Sequence, residues 1–193
     1  IGDKDFADFG LRRAQGLGGI HASRAAVIGG ANTTSNVYSA FNYDIPLTGT
    51  QAHAWIQSFD YELEAFRRYA EINPDSTVLL VDTYNTLKSG VPNAIIVAKE
   101  LEAKGYKMIG IRLDSGDLAY LSKKARKMLN EAGLEYVKII ASNQLNEYVI
   151  KSLNDQGAQI DGYGIGTELV TGKDAGALDG VYKLVQNNGI PRL

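Results

Sequence analysis

Beyond residue 77 the chain alternates short apolar runs with longer amphipathic segments, and this alternation constrains the fold more than any other feature. Residues 77–81, 108–113, 136–141 and 160–164 are predicted strands, and residues 93–104, 117–132 and 145–153 are predicted helices. The run at 77–81 is almost entirely apolar, which is typical of a strand buried on both faces. Strands that alternate with helices pair in parallel, so the pattern predicts an α/β fold.

Polar or glycine residues follow each predicted strand where it runs into its helix. Because the carboxyl ends of parallel strands meet at one edge of a sheet, we expect these residues to converge although they are far apart in sequence. They are Asp82 after the first strand, Arg112 and Asp114 at the end of the second, Ser142 and Asn143 after the third, and Gly164 and Gly166 at the fourth.

Arg112, Asp82 and Asp114 are the strongest candidates for chemistry. An arginine in an apolar strand must meet an anion. That anion is Asp114 in a buried pair, and such a pair could coexist with a phosphate contact. Asp82 either caps a turn or holds Mg²⁺ or ribose hydroxyls, and Asp114 on the next strand end favours the second interpretation. Asp117 is better explained as the cap of the helix that follows it.

The two histidines are too few for a histidine-based zinc site. A lone histidine at the start of a helix, such as His53, is usually structural, but the small residues at 48–52 also allow a ligand to approach it closely. His21 has only a structural interpretation. Phe9 and Arg12 admit two interpretations, a solvated basic turn or a flat ring beside an anion-binding arginine. The residues alone do not decide between them.

Gly164 and Gly166 also admit two interpretations. Their backbone N–H groups could bind a phosphate, or the loop could require positive φ angles. In the first seventy residues the sequence predicts a small-residue helix at 22–30, a polar turn at 31–36 and one long helix at 50–73.

The 193-residue chain has a net charge of −2 and no cysteine. The charge gives no support for nucleic-acid binding, and the lack of cysteine excludes a disulfide framework and is consistent with the cytoplasm. No apolar stretch reaches the roughly 20 residues that a membrane span needs. The chain starts without Met and stops just after an apolar run, so we expect a piece of a longer protein.

Six motifs, taken together and in order, resemble nicotinate phosphoribosyltransferases. They are DFGLRRAQG at 8–16, GTQAHA at 49–54, LVDTYNT at 80–86, IRLDSGDL at 111–118, ASNQL at 141–145 and GYGIGTELVT at 162–171. Nicotinamide phosphoribosyltransferases are less similar, because their counterpart of the first motif departs soon after the first arginine.

The resemblance implies transfer of a phosphoribosyl group from 5-phosphoribosyl-1-diphosphate (PRPP) to nicotinate, which gives nicotinate mononucleotide and pyrophosphate in NAD salvage. It implies coupling to ATP hydrolysis through phosphorylated His53, with catalytic Asp82 and Asp114 serving ribose hydroxyls and Mg²⁺. Phe9 would stack on the pyridine ring, with Thr34, Ser35 and Asn36 near the nicotinate carboxylate. Among the remaining substrate-binding residues, Arg12 would lie near the base or its phosphates, Arg112 would contact substrate and Asn143 would help to hold the ribose. Gly164 and Gly166 would surround the 5′-phosphate.

The resemblance also implies an irregular, partial α/β barrel of the type II phosphoribosyltransferase kind. We therefore expect residues 1–193 to be a single barrel domain that lacks the family's N-terminal domain and C-terminal segment, and to have weak or no activity alone. The full-length protein is expected to be a cytoplasmic homodimer.

The same residues also suit other functions. A nicotinamide or quinolinate phosphoribosyltransferase would use the same skeleton, although quinolinate carries two carboxylates and needs more basic residues. A phosphate-binding α/β-barrel lyase or isomerase of the Schiff-base kind needs a lysine near a strand end, and the neighbours of Lys138 do not mark it as catalytic. A non-catalytic nucleotide-binding module is a further possibility.

Overall fold

The computed structural model describes residues 2, 4–171, 176–177, 180 and 185–192. The chain divides into two compact units, one formed by residues 1–49 and 140–180 and the other by residues 50–139 and 181–193. The prediction of one domain over residues 1–193 stays a prediction.

The first unit contains parallel strands with helices between them. Its elements are β1 Asp5–Asp8, α1 Gly16–Ile28, β2 Thr33–Thr34, α2 Val37–Tyr43, the end of β5 Lys138–Ala141, α7 Glu147–Asp155, β6 Gly162–Ile165 and the short helix α8 Thr167–Thr171. Strand β1 lies between β2 and β6, and the end of β5 pairs with β6, all in parallel. In this register Asp8 lies opposite Thr34 on one side and Ile165 on the other. The carboxyl ends of these strands therefore lie at one edge.

The second unit holds the larger apolar core. Its elements are α3 His53–Gln57, α4 Glu62–Ile72, β3 Val78–Leu80, α5 Val91–Ala103, β4 Gly110–Leu113, α6 Leu118–Glu131, the beginning of β5, and the hairpin of β7 Gln186–Asn187 with β8 Ile190–Pro191. Strands β3 and β4 pair in parallel with Leu80 opposite Arg112. Their apolar side chains, including fully buried Leu79, Ile111 and Leu113, pack against buried faces of α4, α5 and α6.

A π-helical turn, Thr86–Gly90, connects the end of β3 to α5. Gly90 is required there because a Cβ at this position would overlap the carbonyl group of Val81. The turn therefore packs directly against the backbone that leads into Asp82. Such π-helical turns are frequent at functional sites.

The predicted long helix at 50–73 is wrong, because the chain forms α3 and α4 with a break at residues 58–61. The side chains around the break explain it. The hydroxyl of Ser58 donates to the carbonyl of Trp55 at 2.6 Å, and the indole N–H of Trp55 donates to the carbonyl of Ala65 at 3.2 Å. The Trp55 ring also packs on Phe59, with ring centroids 5.1 Å apart. These contacts turn α3 back onto α4.

The strands and helices predicted beyond residue 77 are confirmed, with boundaries that differ by a few residues. The sequence did not predict β1, β2 or α2. No helix among the described residues is long and apolar enough to cross a membrane.

Candidate active site

The second unit brings four of the predicted site residues together at the carboxyl ends of β3 and β4. Asp82 follows β3, Arg112 and Asp114 lie at the end of β4, and His53 is the first residue of α3. The ring atom Nε2 of His53 lies 3.9 Å from Oδ1 of Asp82 and 3.6 Å from Oδ2 of Asp114. One imidazole nitrogen therefore faces two carboxylates.

Hydrogen bonds from the turn that follows β4 fix the carboxylate of Asp82. Its Oδ2 accepts hydrogen bonds from the backbone N–H of Asp114 at 3.2 Å and from the hydroxyl of Ser115. Its Oδ1 is buried and has no hydrogen-bond partner among the residues that the structure describes. The side chain is only 1% exposed, and the His53 ring lies 3.9 Å from Oδ1. This geometry suits a carboxylate that orients His53 more than one that meets a ligand directly.

Arg112 joins the second carboxylate to the segment that precedes α3. Its Nη2 donates to Oδ1 of Asp114 at 2.8 Å, and its Nη1 donates to the hydroxyl of Thr50 at 2.6 Å. The Arg112 side chain is 16% exposed, and that of Asp114 is 25% exposed. The predicted pairing of Arg112 with Asp114 is therefore present, and the pair still reaches solvent.

Thr83 fixes the other nitrogen of the His53 ring. Its hydroxyl lies 3.1 Å from Nδ1, within hydrogen-bond distance. The His53 side chain is 40% exposed. If Nδ1–H donates to the Thr83 hydroxyl, Nε2 carries the lone pair and can act as a nucleophile.

The carboxylates of Asp82 and Asp114 are the kind of ligand that a magnesium ion bound together with a phosphorylated substrate would need. No group of three or more His, Cys, Asp or Glu side chains in the described ranges is arranged to hold a metal ion by itself. Mg²⁺ is usually held by one or two carboxylates together with phosphate oxygens and water. Asp114 is more exposed than Asp82, so Asp114 would be the direct ligand of such an ion and Asp82 would lie behind it.

In the first unit the ring of Phe9 lies directly on Gly164. A Cβ at residue 164 would lie 2.6 Å from both Cδ2 and Cε2 of Phe9, and one at residue 166 would lie 3.1 Å from the Phe9 carbonyl oxygen. Neither glycine has a positive φ. The interpretation that this loop needs positive φ at Gly164 and Gly166 is therefore wrong. Gly164 instead leaves room for the Phe9 ring, and a Cβ at residue 166 would pack tightly against the Phe9 carbonyl.

Asp8 anchors the loop that carries Phe9. It is fully buried, its Oδ1 accepts from the N–H of Gly10 at 2.8 Å, and its Oδ2 accepts from the hydroxyl of Thr34 at 2.8 Å. The N–H of Ser35 donates to the Asp8 carbonyl at 2.9 Å. The DFG motif and the Thr34 loop are thus held together by a buried carboxylate.

The other predicted residues of this unit lie at its surface or near this network. Arg12 is exposed in the 3-10 turn Leu11–Arg13, and Asn143 is exposed just after β5 with a φ of 82°. Asn36 is buried and caps α2 by accepting from the N–H of Ser39. His21 is exposed on α1.

Four supporting residues were not recognised as such from the sequence. Thr50, Thr83 and Ser115 each supply a hydroxyl to one of the predicted residues, and Asp8 orders the DFG loop. All four lie inside or beside the motifs, but a hydroxyl in a turn has no periodicity that marks its partner. Asp117 is the N-cap of α6, as predicted, since its Oδ1 accepts from the N–H of Tyr120 at 3.0 Å.

These features define an α/β protein with a polar cluster at the carboxyl ends of parallel strands, the edge at which α/β-barrel enzymes carry their active sites. The sequence profile described as the nicotinate phosphoribosyltransferase (NAPRTase) family matches residues 5–185. The chain belongs to this family.

Individual relatives agree with the family assignment. The chain is 54% identical to the nicotinate phosphoribosyltransferase of Bacillus subtilis over 186 residues, which is 96% of this chain and 38% of that protein. It is 43% identical to the one of Dictyostelium discoideum, covering 99% of this chain and 40% of that protein. The chain thus spans about two fifths of the length of these curated relatives.

The solved structure of the human nicotinic acid phosphoribosyltransferase is similar with a TM-score of 0.77 and 29% identity. The match covers 99% of this chain and 47% of the human chain. This likeness confirms the predicted fold class, a partial α/β barrel of the phosphoribosyltransferase kind.

Proposed function

We propose that the protein carrying this chain transfers the phosphoribosyl group of PRPP to nicotinate, forming nicotinate mononucleotide and pyrophosphate. The observation that supports this most is the cluster in the second unit, where Nε2 of His53 faces the carboxylates of Asp82 and Asp114 and Arg112 pairs with Asp114. A merely structural turn does not need an imidazole, two carboxylates and a guanidinium. The names of the relatives supply the substrate, nicotinate.

ATP hydrolysis is coupled to the transfer through His53. Nε2 attacks the γ-phosphorus of ATP, the bond from that phosphorus to the β–γ bridging oxygen breaks, and ADP leaves. Nucleophilic attack requires the tautomer in which Nδ1 carries the proton, and the Thr83 hydroxyl, 3.1 Å from Nδ1, can accept that proton in a hydrogen bond. The two carboxylates stabilise the positive charge that the ring gains in this step.

Arg112 and Asp114 act on the charged groups of PRPP. Departure of pyrophosphate leaves positive charge on the ribose, and nearby carboxylates stabilise such charge. Mg²⁺ would be held by Asp114, supported by Asp82, and would neutralise the leaving pyrophosphate. The hydrogen bond from Arg112 to Thr50 keeps the guanidinium in place for an anion.

The first unit supplies residues for the base and the ribose phosphate. Phe9 stacks on the pyridine ring, with Arg12 near the base or its phosphates and Asn143 near the ribose. Gly166 presents its backbone to the 5′-phosphate. The support for these roles is the family assignment, together with the loop geometry at Phe9. The resemblance likewise supports a cytoplasmic homodimer.

The test is a base-competition assay on the full-length protein. Nicotinate, PRPP, Mg²⁺ and ATP are supplied, with nicotinamide or quinolinate as competitors, and each mononucleotide is quantified. The proposal predicts nicotinate mononucleotide as the dominant product. A dominant nicotinamide or quinolinate product would change the substrate assignment, and no product from any base would contradict the transferase function.

A further inference from the structure

The contact between Phe9 and Gly164 is closer than any side chain at residue 164 would permit. A Cβ there would lie 2.6 Å from two ring carbons of Phe9 and 3.3 Å from a third. Carbon atoms pack at about 3.5–4.0 Å, so a methyl group would displace the ring by roughly 1 Å. The ring therefore rests on the backbone of β6.

The backbone of Phe9 is fixed at the same place. Its N–H donates to the carbonyl of Ile165 at 2.8 Å, and its carbonyl passes close to Gly166. Gly10 is covered by the side chain of Val170, so the next residue of the loop is enclosed as well. With the backbone held by β6 and α8, the ring cannot move away from a new methyl group by shifting the loop as a whole.

The backbone conformation of residue 164 does not demand glycine. Gly164 lies within β6, is paired with Ala7 of β1, and has no positive φ. Any residue could adopt this conformation, so what glycine provides here is room for a ring. Gly164 is also buried, which argues against an open surface for a phosphate.

We propose that Gly164 is a positioning residue for the base, which sets the height and tilt of the Phe9 ring, and that it does not bind the 5′-phosphate. This inference rests on the proposed function, in which Phe9 stacks on the pyridine ring of nicotinate. Displacement of a stacking ring by roughly 1 Å is enough to weaken binding and slow the reaction strongly.

The experiment is a double-mutant cycle on the full-length protein with Gly164→Ala, Phe9→Ala and the combined variant. Initial rates are measured with nicotinate and PRPP varied separately, and nicotinate affinity is measured by calorimetry. Gly162→Ala is the matched control, since residue 162 lies in the same strand two residues away and its Cβ would be 3.4 Å from the nearest atom, the carbonyl oxygen of Asp5.

We expect Gly164→Ala to raise KM for nicotinate roughly tenfold, the loss expected for a stacking contact, and to leave KM for PRPP within about twofold. In the Phe9→Ala background the same substitution should change KM for nicotinate by less than about twofold, because the obstructed ring is absent. If Gly164→Ala alone is too unstable to assay, KM for nicotinate is compared between Phe9→Ala and the combined variant. The inference then requires the two values to agree within about twofold.

A rise in KM for PRPP, or an equally large rise in KM for nicotinate when Gly164→Ala is made in the Phe9→Ala background, would overturn the inference. Either result would instead support binding of the 5′-phosphate by Gly164. No effect of Gly164→Ala would also overturn it. Failure of the proposed function would appear differently, as a wild-type protein that makes no nicotinate mononucleotide. That result would contradict both the transferase function and the role of Gly164.

Discussion

The hydroxyl of Thr83 lies 3.1 Å from Nδ1 of His53, so the ring presents its other nitrogen to the carboxylates of Asp82 and Asp114. Thr83, which orients the histidine, directly follows Asp82, one of the two carboxylates that face the ring. Both residues come just after β3. The orientation of the ring and the charge around it are therefore set by one short segment.

Thr83→Val removes the hydroxyl while keeping the shape of the side chain. The ring of His53 then loses the partner that holds the proton on Nδ1, and we expect ATP-stimulated turnover to fall about tenfold. Turnover without ATP should change by less than about twofold. Thr83→Ser keeps the hydroxyl and should restore the stimulation. Equal stimulation in the valine variant and the wild type would show that Thr83 has no part in the coupling.

Asp114→Asn and Asp117→Asn form a matched pair three residues apart. The first removes a charge that faces His53 and Arg112, so we expect kcat/KM for PRPP to fall at least about 100-fold. The second changes a helix cap whose oxygen asparagine also provides, and activity should stay within about twofold of wild type. Similar losses in both variants would contradict the assignment of Asp114 to the site.

Gly90→Ala tests the packing of the π-helical turn on β3. The new Cβ would overlap the Val81 carbonyl, so we expect the free energy of unfolding to fall by about 2 kcal/mol or more. Gly49→Ala, where the new Cβ meets no atom within 4 Å, should change it by less than about 1 kcal/mol. Urea unfolding of both variants measures the difference. Equal stabilities would mean that the turn can move without cost.

Glu62 gives the second unit a pH dependence. Burial raises the pKa of Glu62 above its ordinary value of 4.5, although hydrogen bonds from Asn93 and Ser89 oppose the rise. Because the folded state holds the proton more tightly, Glu62 contributes stability that is fully present below pH 4.5. That stability is lost as pH rises through the raised pKa.

Glu62→Gln removes this titration. We expect the stability of the wild type relative to the glutamine variant to decrease as the pH rises from 4 to 8, measured by urea unfolding at each pH. Glu64→Gln, an exposed position on the same helix, serves as the control. A relative stability that increases with pH would contradict the direction of the shift.

The sequence predicts much of the fold beyond residue 77 because apolar strands and amphipathic helices alternate there with little interruption. It also predicts that Asp82, Arg112 and Asp114 meet, since they follow neighbouring parallel strands. The short strands β1 and β2 escape prediction because they have four and two residues and carry polar side chains.

The remaining differences between the predicted and the observed structure arise from contacts between residues far apart in sequence or across a turn. The break between α3 and α4 depends on the bond from Trp55 to Ala65, which helical periodicity does not encode. The packing of Gly164 depends on a ring 155 positions earlier in the chain, which the local sequence around the glycine does not reveal. His53 lies at the start of a helix and not at a strand end, so the strand pattern does not predict it and only the family resemblance points to it.

The most direct test of the account compares the initial rate of nicotinate mononucleotide formation with and without ATP, in the full-length wild type and in its His53→Ala variant. We expect ATP to accelerate the wild type and to leave the rate of the variant unchanged, while the two proteins retain similar rates without ATP. Equal acceleration of both proteins by ATP would contradict the assignment of His53 as the residue that couples ATP hydrolysis to phosphoribosyl transfer.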